Sequence, residues 1–315
     1  MHVAAEKFDS ANGNKANFDS IYDRDDPREY FRVLCGLDYV IPDLAKNIFR
    51  SVIKRYAELS GETVKVVDLG CSYGINSALV RYPLDIRRLA ARYASPGIGG
   101  LSAADLLELD RHYYRAWPEQ VDACFVGCDC SSAAVSYATK VGLIDYGVTS
   151  NLEETAPTPD EAACLEDVDI IVSTGCIGYV THKTFRKILS LQKRQEKMPW
   201  VVSFVLRMFP YDTIAAELEQ FGLVTEKLEG VTFVQRRFQS ENELNSTLAA
   251  LKELDLDTRG MEADGLLHAE LFVSRPRDDI RDIPLSEIIT ITSGISQVQG
   301  SRFRRMPPPK MNLIR

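Results

Sequence analysis

Residues 64–76 read Val64-Lys65-Val66-Val67-Asp68-Leu69-Gly70-Cys71-Ser72-Tyr73-Gly74-Ile75-Asn76. This stretch predicts a β-strand that ends at an acidic residue, then a glycine turn and the start of a helix. Elements in this order form the nucleotide-binding corner of an open α/β sheet. Gly70 and Gly74 allow the backbone to approach a ligand closely, because no Cβ stands in the way. Asp68 lies at the carboxyl end of the strand, where the ligands of such sheets bind.

The glycine spacing indicates which ligand this corner binds. The dinucleotide fingerprint Gly-x-Gly-x-x-Gly does not fit, and the stretch lacks the Gly-Lys-Ser/Thr ending of a phosphate loop. The stretch resembles motif I of the class I S-adenosylmethionine (SAM) methyltransferases, acidic-x-Gly-x-Gly-x-Gly, with Ser72 in place of the middle glycine. The resemblance implies that SAM is bound as cofactor or substrate by a set of residues in this loop: Asp68, Gly70, Ser72, Gly74 and Asn76.

The order of predicted elements extends the resemblance over roughly residues 60–275. Five strands separated by helices are predicted at Val64–Leu69, Asp122–Cys128, Gly142–Val148, Val168–Ser173 and Trp200–Leu206. An antiparallel pair follows, Gly230–Phe238 and Leu266–Ser274, with a helix at 241–254 between its strands. The resemblance implies an α/β fold whose doubly wound, mostly parallel seven-stranded sheet has the order 3-2-1-4-5-7-6.

Three segments are expected along the chain. Residues 1–60 predict a mobile, polar N-terminus followed by a helical lid, and residues 61–276 a SAM-binding Rossmann-like domain with a helical insertion near 96–120. Residues 277–315 predict an extended basic tail, which is most basic at Ser301–Lys310. That tail is either a solvated terminus or a flap over an acidic surface or an anionic partner.

Composition narrows the class of partner. The chain of 315 residues has a net charge of −8, so its overall field repels nucleic acid. It has no apolar run of roughly 18 residues and no charged-then-apolar signal at its start, so no membrane partner is expected. Seven scattered cysteines favour a reducing cytoplasm over a disulfide framework. We therefore expect a cytoplasmic protein with a small-molecule substrate. The oligomeric state is open, and a homodimer is compatible with the sequence.

Several further residues are candidates for SAM binding. Asp129 ends the second strand, where a carboxylate either accepts from ribose hydroxyls or caps the next helix. Cys130 follows it, and the neighbouring cysteines lack a second cluster that would complete a zinc site, so no metal is expected. By resemblance, Asn151 and Leu152 would contact the adenine amino group and ring face, and Thr174 would contact the cofactor at the start of the loop after strand 4.

The loop Thr174–His182 corresponds by resemblance to motif IV, which borders the methyl group and the acceptor. Tyr179 is a candidate for the sulfonium, either placing a ring near the positive charge or packing at the rim. His182 is a candidate general base or an ordinary helix-start residue. Ser203 and Arg207, on strand 5, would lie near the same mouth, although Ser203 packed inside the sheet is an equal alternative.

The segment before the first strand is a separate source of site residues. Tyr22, Tyr39, Phe31 and Arg32 are candidates for a lid that covers the cofactor and shapes the acceptor site. The alternative is a pair of helices that only pack on the sheet.

The resemblance leaves several functions open. The first is a SAM-dependent methyltransferase acting on a small molecule, in specialised metabolism. The second is an enzyme of the same fold that cyclises SAM itself to azetidine-2-carboxylate and releases methylthioadenosine. A non-catalytic SAM-binding protein and an NAD-dependent oxidoreductase are further alternatives. A nucleic-acid methyltransferase is disfavoured by the acidic charge and by the lack of an Asn/Asp-Pro-Pro-Tyr/Phe motif after strand 4.

Overall fold

A computed structural model of the protein describes residues 19–193, 197–289 and 303–305. The N-terminal stretch 1–18, expected to be mobile, and most of the basic segment Ser301–Lys310 lie outside the described residues. Within the described ranges, no helix is both long and apolar enough to span a membrane.

In the described ranges, nine strands form one sheet. They are β1 (Val64–Leu69), β2 (Ala123–Cys128), β3 (Tyr146–Val148), β4 (Ile170–Thr174), β5 (Trp200–Leu206), β6 (Leu223–Lys227), β7 (Val231–Arg237), β8 (Leu266–Pro276) and β9 (Phe303–Arg305). The order is β3-β2-β1-β4-β5-β8-β7-β9, and β6 also pairs with β8. Strands β1 to β5 pair in parallel, and β8 runs antiparallel to β5.

The predicted strand order is confirmed, but the predicted count of seven strands is wrong. The sixth strand is divided, because β6 pairs with the second half of β8 and β7 pairs with the first half. Strand β6 escaped prediction because it is mostly half-exposed and lacks the apolar run of a central strand. The ninth strand, β9, pairs with the outer edge of β7.

Helices connect and flank the strands. They are α1 (Asp19–Tyr22), α2 (Arg28–Gly36), α3 (Ile41–Ser60), α4 (Ile75–Arg81), α5 (Ile86–Tyr93), α6 (Pro96–Gly99), α7 (Ala103–Arg115), α8 (Ser132–Val141), α9 (Pro159–Leu165), α10 (His182–Ser190), α11 (Asp212–Gln220), α12 (Glu241–Glu253), α13 (Arg277–Asp282) and α14 (Leu285–Ile288). Helix α7 occupies the expected insertion. Residues 277–288, expected to be extended, contain two short helices.

Apolar side chains cover both faces of the sheet, as a doubly wound fold requires. On one face α3 packs through Ile48, Val52 and neighbouring residues against β1, β4 and β5. On the other face α10 and α11 pack through residues such as Phe185 and Leu218. A third cluster joins the insertion to residues 19–40, which we call the lid, and brings Phe31 onto Tyr93 with ring centroids 4.7 Å apart.

Candidate functional site

A cavity of about 370 Å³ opens at the carboxyl ends of the parallel strands. Its wall is formed by the loops after β1, β2, β3 and β4, by the lid and by β7. The carboxyl edge of an open α/β sheet, where the strand order reverses between β1 and β4, is the usual ligand site of such folds. The volume lies within the range of about 300–1,000 Å³ that is typical of small-molecule sites.

The glycine loop forms the floor of this cavity. Gly70 has a φ of 69°, and a Cβ added to it would come within 2.6 Å of Cys176 Cβ in the loop after β4. Ser72, which stands where the motif has a glycine, has a φ of 49°. The serine thus keeps the left-handed backbone for which glycine is preferred, and its Oγ is buried without a hydrogen-bond partner among the described residues. Gly74 begins α4 and packs on Leu143, outside the cavity lining.

Asp129 joins the loops after β1 and β2. Its carboxylate accepts from the backbone N–H of Ser72 and from that of Ser131, each at 2.9 Å. A carboxylate has about four acceptor positions, so capacity remains toward the cavity that it lines. Burial raises the pKa of Asp129, and the two backbone N–H donors oppose that effect. Cys130 lies beside it in the same wall.

Asp68 lies beneath the cavity rather than in its lining. It is fully buried and accepts from Asn76 Nδ2 at 3.0 Å and from Ser77 Oγ at 3.4 Å. Burial raises the pKa of Asp68 to about 7, against the effect of these two donors. Asn76 Nδ2 also donates to Thr174 Oγ1 at 3.0 Å. Asp68 therefore orients Asn76 and Thr174, which do line the cavity.

The loop after β3 closes the opposite end of the cavity. Asn151 and Leu152 lie in its wall, as does Glu153, which the sequence analysis did not single out. Glu153 accepts from Thr181 N at 2.8 Å and from Thr181 Oγ1 at 2.6 Å, at the start of α10. Burial alone would raise the pKa of Glu153, but the hydroxyl and backbone donors of Thr181 and Thr184 lower it. This carboxylate therefore ties the loop after β3 to the loop after β4.

Tyrosines form the aromatic side of the cavity. Tyr22, Tyr30 and Tyr39 come from the lid, and Tyr179 comes from the loop after β4. The Tyr30 ring centroid lies 5.9 Å from that of Tyr22 and 6.3 Å from that of Tyr39. Burial raises the pKa of Tyr39 to about 12 and that of Tyr22 further, so both phenols are neutral at pH 7. Neutral rings of this kind attract cations.

Tyr73, in the glycine loop, binds the backbone of the lid. Its hydroxyl lies 3.0 Å from both Ile21 O and Arg24 O, and it accepts from Arg24 N at 3.2 Å. Ser131 Oγ donates to Tyr22 O at 2.6 Å. The two loops that meet at Asp129 thus also hold the lid segment that carries Tyr22.

Two of the expected catalytic residues do not line the cavity. Ser203 is completely buried inside the sheet, where its Oγ accepts from Ser173 Oγ at 3.0 Å and from Tyr211 O–H at 3.5 Å. The prediction that Ser203 lies at the mouth of the cavity is wrong, because its side chain contacts Ser173 and Tyr211 within the sheet layer. His182 begins α10 outside the cavity lining. Of the three expected catalytic residues, only Tyr179 lies at the cavity.

Three other candidates also lie elsewhere. Arg207 is buried and forms an ion pair with Glu262 at 2.6 Å, so its charge is already compensated away from the cavity. Phe31, in α2 of the lid, packs against Tyr93 at the end of α5, and Arg32 is exposed and paired with Glu29. The lid contributes Tyr22 and Tyr39 as expected, together with Tyr30, which was not expected.

Gln235 and Arg236 on β7 were also missed. Both line the cavity, and Arg236 forms a buried ion pair with Glu243 at 2.6 Å. The sequence did contain a sign of a β-bulge at this point. Two consecutive apolar residues, Phe233 and Val234, interrupt the alternation of apolar and polar residues just before Gln235. Among the residues described by the structure, no group of histidine, cysteine and acidic side chains is arranged to hold a metal ion.

The chain has distant likenesses to solved structures. No protein-family model matches the chain, and no curated protein matches it. The plantazolicin methyltransferase BpumL, solved with a monoazolic desmethylPZN analogue and SAH, is 15% identical over 88% of this chain and 98% of its own, with a TM-score of 0.38. Magnesium protoporphyrin IX methyltransferase from Synechocystis PCC 6803, solved with SAM, is 13% identical over 73% of this chain and 79% of its own, with a TM-score of 0.35. Because these likenesses are so low, the fold rests on the strand order of the chain itself.

Proposed function

We propose that the chain is a SAM-dependent methyltransferase that acts on a small molecule. The observation that carries the proposal is the convergence of the Gly70–Ser72 loop and Asp129 on one cavity at the carboxyl edge of the sheet. Ser72 Oγ, which is buried there without a partner in the described part of the chain, suits a bound ligand. The missing Cβ at Gly70 instead lets Cys176 of the loop after β4 pack against the glycine loop.

Each part of SAM has a chemically suitable counterpart in the wall. The remaining acceptor capacity of Asp129 suits the ribose hydroxyls, and Asn151 with Leu152 suits the polar edge and apolar face of adenine. The neutral rings of Tyr22, Tyr39 and Tyr179 suit a positively charged sulfur, with about 0.5–2 kcal/mol available from each such contact.

For methyl transfer, the protein has to align the acceptor with the methyl group of SAM and to exclude water from the site. Bound SAM supplies a methyl group on a sulfonium, and its transfer is a displacement that needs the acceptor held in line. The lid residues Tyr22, Tyr30 and Tyr39 line one side of the cavity, where they would limit the access of water to bound SAM. A site without Ser203 or His182 at its lining is consistent with this chemistry, which does not require an acid–base pair.

Calorimetric titration tests the proposal directly. The wild-type protein should bind SAM and SAH, and Asp129→Ala should weaken both. A matched control is Asp122→Ala, since Asp122 lies at the opposite end of β2, where it contacts Thr63 Oγ1. Lack of SAH binding by the wild-type protein would refute the proposed function.

A second candidate is favoured by the size of the cavity. Its volume of about 370 Å³ is near the lower limit for a drug-sized ligand, and SAM is itself such a ligand. SAM would then occupy most of this volume, and a separate acceptor would have to bind at the open mouth of the cavity. We therefore propose as the alternative that SAM is the only substrate. Its amino nitrogen would attack its γ-carbon, the carbon–sulfur bond would break, and azetidine-2-carboxylate, methylthioadenosine and a proton would be released.

Product analysis distinguishes the two candidates. Incubation with SAM alone should leave SAM unchanged if a methyl acceptor is required. Formation of methylthioadenosine together with azetidine-2-carboxylate, without an acceptor, would establish the cyclisation instead, provided that a heat-inactivated sample gives neither. The appearance of SAH together with a methylated compound from a metabolite mixture would establish methyl transfer.

A further inference from the structure

Strand β7 has a bulge where it passes the cavity. Val234 pairs with His268 and Arg236 pairs with Leu267, so Gln235 is an additional residue between two consecutive pairs. A bulge bends its strand and redirects a side chain, and bulges are frequent beside functional sites. Here the redirected side chain belongs to the cavity wall.

The amide of Gln235 is buried, and its oxygen, Oε1, has no hydrogen-bond partner among the described residues. The residue is 5% exposed. A buried polar atom without a hydrogen-bond partner destabilises the folded protein. A ligand that donates a hydrogen bond to Oε1 would recover this free energy.

The position of Gln235 indicates which part of the ligand it meets. A Cβ added to Gly175, in the loop after β4, would overlap Nε2 of Gln235. The residues suited to adenosine, Asp129 and Asn151, follow β2 and β3 at the other end of the strand order. Gln235 therefore lies on the opposite side of the glycine loop from the adenosine end.

Resting on the SAM site proposed above, we infer that Gln235 binds the amino-acid end of SAM. Its Oε1 accepts from the α-ammonium group, and its Nε2 donates to the α-carboxylate. A carboxamide is suited to this pair of groups because it carries an acceptor and two donors on one planar unit. Being neutral, it also adds no positive charge near the sulfonium. The backbone N–H of Val40, which donates to Gln235 O at 2.9 Å, ties the lid to the same point.

The test compares two ligands that differ only in the amino-acid end. SAH carries the ammonium and carboxylate groups, whereas methylthioadenosine keeps the adenosine and lacks them. In Gln235→Met the affinity for SAH should fall about tenfold or more, as expected for hydrogen bonds to charged groups, and the affinity for methylthioadenosine should not change. The thermal unfolding midpoint without ligand should be unchanged or raised, because the variant removes an unsatisfied buried amide.

Gln192→Met is the matched control. Gln192 is also a buried glutamine, but its amide accepts from Val168 N at 2.8 Å and donates to Leu165 O at 2.8 Å, away from the cavity. This variant should lower the unfolding midpoint and leave the ratio of the two affinities at its wild-type value.

The outcomes separate this inference from the proposed function. If wild-type protein binds SAH and Gln235→Met binds it equally well, the inference is wrong and the proposed function stands. An equal loss for both ligands would also overturn it, since that indicates a general distortion of the site. If wild-type protein binds neither ligand, both the function and the inference fail.

Discussion

Replacing Tyr73 with phenylalanine should release the lid without disturbing the fold beneath it. The Tyr73 hydroxyl carries one hydrogen, so it donates one hydrogen bond, to Ile21 O or Arg24 O, and accepts another from Arg24 N. The ring itself is buried against Tyr30 and Tyr137, with centroid distances of 5.9 and 5.7 Å, and these contacts survive in Tyr73→Phe.

The magnitude follows from the two bonds that are lost. Each contributes about 0.5–1.5 kcal/mol net, so the closed lid loses about 1–3 kcal/mol relative to the open lid. This corresponds to a shift of about 5- to 150-fold in the ratio of closed to open forms. The affinity for SAH should fall by less than this ratio if the closed form still predominates in the variant. The reason is that the apparent affinity decreases only in proportion to the fraction of protein in the closed, binding-competent form.

Limited proteolysis measures the opening. Arg24 is exposed within the segment held by Tyr73, so the rate of trypsin cleavage after Arg24 should rise in Tyr73→Phe and should fall again when SAH is added. Tyr211→Phe is the control, because it removes a buried hydroxyl that faces Ser203 at 3.5 Å, away from the lid. A wild-type cleavage rate in Tyr73→Phe, with SAH affinity also unchanged, would show that Tyr73 does not hold the lid.

Three further substitutions test the site. Because burial raises the pKa of Asp68 to about 7, the protonated form stabilises the fold at low pH, and this contribution is lost as pH rises from about 4 through 7. The difference in unfolding free energy between Asp68→Asn and wild type, measured by denaturant titration, should therefore shift in favour of the variant by up to about 4 kcal/mol from pH 4 to pH 8. If this difference did not change with pH, the raised pKa of Asp68 would be contradicted. Gly175→Ala should weaken SAH binding, because the added Cβ would overlap Gln235. Gly222→Ala is the control: its φ of 78° is close to the 75° of Gly175, but nothing lies within 4 Å of the added Cβ. The control should lose only about 1–2 kcal/mol of stability. Asp129→Asn should weaken SAH and methylthioadenosine by the same factor, about tenfold or more, because both keep the ribose; a loss confined to SAH would remove Asp129 from the ribose end.

The sequence predicted the central strands and the site-forming edge of the sheet, and the family resemblance implied the strand order. Apolar runs, the glycines and the acidic residues Asp68 and Asp129 are local signals, and the rules of α/β topology then bring the carboxyl ends of the strands together. The cavity accordingly contains Gly70, Ser72 and Asp129, and it contains Tyr179 from the loop after β4.

The sequence could not show which side chains were already engaged. Ser203 and Arg207 have the residue types of a functional site, but partners that are distant in sequence, Ser173 and Glu262, hold them in the interior. Such pairing depends on packing, which local periodicity does not encode.

By itself, the sequence determined the positions of the central strands and the glycine loop of residues 70–74, because local propensity is sufficient for both, whereas the strand order came from the family resemblance. Only the tertiary structure decided what surrounds that loop. It placed Gln235 at a bulge beside Gly175 and Tyr73 beneath the backbone of a lid segment about 50 residues earlier in the chain. These positions arise from long-range contacts, whose geometry is set by how sheet, lid and insertion pack together rather than by any one segment.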